Sequence, residues 1–213
     1  MILDDPRHPG LTELRTLYRL DDLVSGSRDQ YEALRRLLAW VHSLWEHDGN
    51  QKPTHPDPLT ILEEASQGRR FRCVEYSIVM AAAATALGMP ARVLSLKTED
   101  VGTGAPNGAH VVAEVWLQQL RKWVFTDGQF AAIPELQDGP LSAVEFKEAL
   151  PVVRHDLVSK TRIARRSRLD RYLRWIEPYF YSLNCRIDQR FFVDDAERAP
   201  GFFQLCRSPL PVI

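Results

Sequence analysis

Apolar residues recur at helical spacing from the first third of the chain onward. Leu34, Leu37, Leu38, Val41, Leu44 and Trp45 predict an amphipathic helix over 29–48, with Gly49 beyond its end. A proline-rich loop follows over 50–58, and Pro58 is placed to open a short helix ending near Gln67, with Gly68 as its terminator. After Gly68-Arg69-Arg70-Phe71-Arg72 the pattern changes. From Cys73 to Leu87 the chain is apolar on every side, which predicts a buried central helix stopped by Gly88 and Pro90. Residues 91–97, 110–117 and 121–127 are rich in Val, Trp and Phe and predict strands, the first separated from the second by a glycine-rich loop over 98–109.

Ser142-Ala143-Val144-Glu145 is a capping box, with Leu141 and Phe146 placed as its hydrophobic staple; it predicts a helix from Ser142, stopped by Pro151. Residues 160–174 carry Lys160, Arg162, Arg165, Arg166, Arg168, Arg171 and Arg174 against Asp170 alone. They read as a solvated helix face over Ile163, Leu169 and Leu173. The aromatic remainder, from Tyr179 to Phe203, reads as strands of a second layer or as a C-terminal extension. A central helix followed by strands, with helices flanking, defines an α+β fold in one domain over 1–213: a core at about 29–135 and an extension over 136–213 packed on it.

Composition narrows the functional classes. The 213 residues, 45% hydrophobic and 26% charged, fit a globular protein, and a net charge of −1 disfavours a dedicated nucleic-acid binder. No apolar run approaches a membrane span, and Met1-Ile2-Leu3-Asp4-Asp5-Pro6 is not a secretory start. Cys73, Cys185 and Cys206 have neither disulfide-framework nor zinc-site spacing, so no metal or other cofactor is expected. A reducing, cytoplasmic setting suits a free thiol. Cys185 and Cys206 read as structural, and Asn107-Gly108 as a turn.

Cys73 stands at a predicted helix start, where unpaired backbone N–H groups carry about half a positive charge and favour thiolate over thiol. His110 opens one predicted strand and Asp127 closes its partner. If the turn centres on Gln118-Gln119, or a longer loop or bulge keeps the same net register, as the poor Gln-Gln turn favours, His110 and Asp127 lie directly opposite on one face of an antiparallel pair, with Glu114 and Trp116 on that face too. A one-residue slip would separate them. Such a carboxylate could fix the imidazole tautomer and leave the other ring nitrogen for the thiol. Glu75, one turn into the Cys73 helix, would oppose a thiolate unless it points away or pairs with an arginine.

Four ordered blocks resemble the transglutaminase-like superfamily: Arg72-Cys73-Val74-Glu75-Tyr76, Ala86-Leu87-Gly88-Met89-Pro90-Ala91-Arg92, His110-Val111-Val112-Ala113-Glu114-Val115-Trp116 and Lys122-Trp123-Val124-Phe125-Thr126-Asp127. The resemblance spans about 59–130. It implies a papain-like α+β core, Cys73 as nucleophile, His110 as base and acid, Asp127 as the group orienting the ring, and a thioester formed from an amide in a peptide, protein or small molecule. It also makes Trp45, or Trp40, a candidate oxyanion donor; Gln129 is a candidate support, and Glu114, on the His110 face, is either a support or a buried salt-bridge partner. The chain lacks the paired C-x-x-C motif of peptide N-glycanases and has no room for the flanking β-domains of animal transglutaminases. Two other readings remain: a catalytically silent scaffold of the same family, and anion binding through the arginine run.

Overall fold

The protein was analysed as a computed structural model that describes residues 1–103, 108–159, 161 and 165–207. Helices α1 (Pro9–Leu17), α3 (Gln30–Ser43) and α4 (Pro58–Ser66) pack against α5 (Cys73–Ala86), whose burial matches its all-round apolar sequence, while α2 (Leu20–Val24) packs on α1 and α3. Start and stop signals act as read: Asp57 caps α4 through Leu59 N–H and Thr60 N–H, and Gly68 and Gly88 take positive φ just past α4 and α5. α3 ends at Ser43 rather than Asp48, because the chain turns Trp45 inward. The Trp45 carbonyl accepts from Tyr76 Oη at 2.6 Å, and Asp48 N–H donates to Phe71 O at 2.9 Å.

Strands β1 (Ala91–Lys97), β2 (Ala109–Leu117) and β3 (Lys122–Thr126) form an antiparallel meander. Beyond them lie a small two-stranded sheet, β4 (Glu135–Leu136) with β5 (Gly139–Pro140), and helices α6 (Ala143–Val153) and α7 (Arg166–Ile176). Strands β6 (Ser182–Arg186) and β7 (Phe202–Arg207) then return to β1, completing a five-stranded sheet in the order β3-β2-β1-β6-β7. The C-terminal strands thus widen the first sheet rather than build a second layer, because β1 still has a free edge to donate.

Alternation along the strands sorts the core into two halves. Ala113, Val115, Leu117 and Val124 face α1, α3, α4 and α5; Leu94, Leu96, Val112, Phe125, Leu183 and Cys185 face α6 and α7. The Ser142 capping box forms, with Glu145 N–H donating to Ser142 Oγ and Ser142 N–H to the Glu145 carboxylate. Pro151 does not stop α6, which runs on to Val153. The missing N–H falls in the last turn, where it interrupts little of the helix. α7 lies with Leu169 and Leu173 buried and Arg165, Arg166, Arg168, Arg171 and Arg174 outward, as a solvated basic face; Lys160, Arg162 and Ile163 fall outside the described residues. Among the described residues, no helix is long and apolar enough to cross a membrane.

Candidate active site

Cys73 is the first residue of α5 and half-buried. Glu75 is fully buried and does not stand as a free negative charge beside it: its carboxylate accepts from Arg72 N–H at 3.0 Å and from the Arg72 guanidinium. The arginine before the cysteine thus neutralises the carboxylate after it. Ser77 Oγ lies 2.9 Å from both Cys73 O and Val111 O, tying the first turn of α5 to β2 beside His110.

The hairpin register differs from the expected one by two residues. The ladder runs from Leu117↔Lys122 to Ala113↔Thr126 around a four-residue turn, Gln118–Arg121, with Arg121 at φ 51°. Continued, it would set Gln129, not Asp127, opposite His110. Gln-Gln is a poor two-residue turn, and the longer loop shifts the pairing. A shift of two preserves the face, so the condition on which the pairing depends survives as a diagonal contact. His110 Nε2 and Asp127 Oδ2 are 2.8 Å apart, both groups buried. With Nε2 turned to the carboxylate, Nδ1 is the nitrogen left for sulfur.

Asp127 is held by the turn it opens. Its backbone pairs with Ala132 in both directions, at 2.9 and 3.0 Å, and its Oδ1 accepts from Phe130 N–H at 3.3 Å. Gly128 permits this placement: a Cβ there would stand 3.0 Å from Tyr76 Cβ and 3.3 Å from Val41 Cγ1, and Gly128 O contacts His42 Nδ1 at 3.1 Å. A side chain there would crowd α3 and α5, so glycine lets the turn press close to both.

Residues that the sequence did not single out enclose the ring. Tyr172 Oη donates to Asp127 Oδ2 at 3.0 Å, the oxygen that also meets His110. Trp175, Tyr179 and Phe130 set ring edges against the imidazole, with centroids at 4.9, 5.9 and 6.2 Å. The spacing of Tyr172, Trp175 and Tyr179 was the available signal: one stripe of α7 and the 3₁₀ turn Glu177–Tyr179 after it.

Electrostatics follow from this enclosure. Burial alone would lower the pKa of His110. The Asp127 carboxylate, its hydrogen bond and the Cys73 side chain outweigh burial and raise it to about 9. The Tyr172 hydroxyl is raised well above its usual value, by burial first and then by Asp127, and stays protonated as a donor. Tyr179 is raised by burial first and then by Cys73.

The other sequence-selected residues are placed as follows. Glu114 is fully buried on the His110 face, but its carboxylate accepts from Arg92 Nε at 2.8 Å and from Ala143 N–H at 2.6 Å. It holds the start of α6. Trp45 packs on Tyr76 and Phe71, with ring centroids at 4.5 and 5.6 Å, and its buried indole N–H has no hydrogen-bond partner. Trp40 is half-buried against Tyr18, and Gln129 is half-buried in the turn after Asp127. Trp116 and Trp123 form a cross-strand pair at 5.7 Å. No group of His, Cys, Asp and Glu among the described residues could hold a metal ion.

A cysteine heading a buried helix, packed on an antiparallel sheet that carries the histidine, makes this a papain-like α+β protein. The profile of the transglutaminase-like superfamily matches residues 19–128, just over half the chain, and the chain belongs to that superfamily. The match takes in Cys73, His110 and Asp127 and ends before Tyr172, Trp175 and Tyr179. No curated protein matches the sequence. Solved structures with partial similarity include a candidate cysteine protease from Cytophaga hutchinsonii (14% identity, 62% of this chain and 40% of that one, TM-score 0.45). Others are the periplasmic domain of TgpA from Pseudomonas aeruginosa (21%, 60% and 46%, TM-score 0.42) and calcium-bound LapG from Legionella pneumophila (13%, 79% and 98%, TM-score 0.41). The chain spans less than half the length of the first of these matches.

Proposed function

We propose that this protein is a cysteine-dependent hydrolase or acyl-transferase that cleaves an amide through a thioester on Cys73. The observation that carries this reading is the His110 Nε2–Asp127 Oδ2 contact of 2.8 Å, buried and shared with Tyr172, which leaves Nδ1 for a half-buried thiol at a helix start. His110 takes the thiol proton and, with its pKa raised to about 9, holds it at neutral pH while sulfur attacks the carbonyl carbon. The C–N bond breaks as the imidazolium returns that proton to the leaving amine, and water or a second amine then resolves the thioester, with His110 again moving the proton. Asp127 fixes the ring, and Tyr172 positions Asp127.

Backbone N–H groups at the head of α5 are the natural donors to the developing oxyanion. Trp45 is a further candidate donor, since its buried N–H still lacks an acceptor. Trp175, Tyr179 and Phe130 exclude water from the ring, which strengthens its electrostatic coupling to the thiol. A peptide or protein amide is the substrate class we assign, and a reducing compartment such as the cytoplasm keeps the thiol free. The test is the pH profile of Cys73 alkylation by iodoacetamide in wild type and in His110→Ala, with intact-mass detection of acyl groups trapped on Cys73. The expected result is alkylation faster than that of a free cysteine near neutral pH and dependent on His110. A rate equal to that of a free thiol and indifferent to His110 would leave a silent scaffold as the better reading.

A further inference from the structure

An unexplained cleft lies on the α5 face of the sheet, next to the proposed nucleophile but apart from its own contacts. It is a cavity of about 500 Å³, the size of a small-ligand site. Its apolar walls come from Val74 and Ile78 on α5 and from Val93 and Val111 on the sheet. Val74 follows Cys73 and Val111 follows His110, so the cavity begins one residue from each. Its far side is cationic. Arg186 Nη1 and Arg198 Nε both lie 3.1 Å from a single oxygen, Asp195 Oδ1, so two guanidinium groups share one carboxylate. Arg190 is matched by Asp188, whereas Lys97, also on the lining, has no acidic partner among the described residues. The rim therefore carries more positive charge than its own acids balance, over a floor that suits an apolar side chain.

We infer that this cavity binds the C-terminal residue of a peptide substrate, its apolar side chain between α5 and the sheet and its free carboxylate toward Lys97, Arg186 and Arg198. Guanidinium groups meet carboxylates through paired hydrogen bonds, and a partly enclosed site strengthens each one. The assignment rests on the thioester reading for its place in the reaction, although binding itself does not. It directs the chemistry to an amide near the C-terminal end of a chain.

The experiment uses N-acetyl-Ala-Phe and its C-terminal amide, which differ only in the carboxylate, titrated calorimetrically into full-length Cys73→Ala protein. The acid should bind at least tenfold more tightly than the amide. Lys97→Gln and Arg186→Gln should each weaken the acid about fivefold and leave the amide unchanged; Arg186 is half-exposed, so its variant keeps the fold. In wild type, saturating acid should slow Cys73 alkylation at least fivefold. Equal affinity for acid and amide, no binding of either, or an acid preference untouched by both substitutions would overturn the inference. Tight acid binding that leaves alkylation unchanged would overturn the assignment as a substrate subsite. Because binding is read in Cys73→Ala, an unreactive Cys73 in wild type would bear on the thioester reading and not on the cavity.

Discussion

Strand β2 carries two buried acid–base pairs on one face, four residues apart, and they are built to opposite ends. At Glu114 every charged atom is answered: Arg92 donates to it, Ala143 N–H caps it, and the guanidinium lies 4.3 Å from the Trp123 ring centroid. At His110 the ring is answered on one nitrogen by Asp127 and enclosed by aromatic edges, with the other nitrogen left toward a thiol. A saturated ion pair is structural, since it has no unmet valence to offer; a pair with one open position can do chemistry. Burial alone does not separate the two. The count of unfilled hydrogen-bond positions does.

The largest effect that would test this contrast is Asp127→Asn. The amide would favour the wrong imidazole tautomer and lower turnover by on the order of 10⁴-fold, measured on whichever acyl donor is found trapped on Cys73. Glu114→Ala should do the reverse. It strands Arg92 in the interior and costs about 3–5 kcal/mol of stability, read by urea denaturation, while the folded fraction alkylates Cys73 at the wild-type rate. If Glu114→Ala slowed alkylation as much as it lowered stability, the division between the two pairs would fail.

Tyr172→Phe is subtler. It removes a hydrogen bond to a charged oxygen, worth about 1.5–3 kcal/mol, and leaves Asp127 Oδ2 to His110 alone. The His110 titration, followed by imidazole proton resonances, should then move above its wild-type position near pH 9. A merely structural tyrosine would lower stability without moving that titration.

A further effect concerns pH. A histidine whose folded pKa is raised from 6.5 to about 9 contributes stability that is fully present below pH 6.5 and lost as pH rises through 9. Denaturation midpoints should therefore fall across that window in wild type and stay flatter in His110→Ala.

Much of this contrast was legible in the sequence, for local reasons. Cys73 could be placed because glycine, an arginine-rich lead and an apolar run announce a helix start. Glu75 reads as a threat to a thiolate because it sits in the first turn, and the remedy, Arg72, stands next to the cysteine. The shared face of His110 and Asp127 depended only on parity, which a two-residue change of register leaves intact. What the sequence hid was long-range. The arginines of α7 dominate its composition and mark its solvent face, while Tyr172 and Trp175 meet partners far upstream. Nor does alternation in residues 182–207 say which strand edge they will join. Helix ends were blurred for a third reason: Trp45 leaves α3 for Tyr76, and Pro151 sits too late in α6 to end it.

The contact between Tyr172 and Asp127 spans 45 residues of chain, and β6 pairs Cys185 with Leu94 farther still. Synthesis delivers residues in order, N-terminal parts first. A nascent chain that has exposed Cys73, His110 and Asp127 therefore lacks the tyrosine that steadies the carboxylate and the strand that walls the cavity. Until α7 docks and β6 zips onto β1, the thiol is present without its surroundings, and such distant closures are slow to form. The fold thus completes this cluster of side chains only when its last strands arrive.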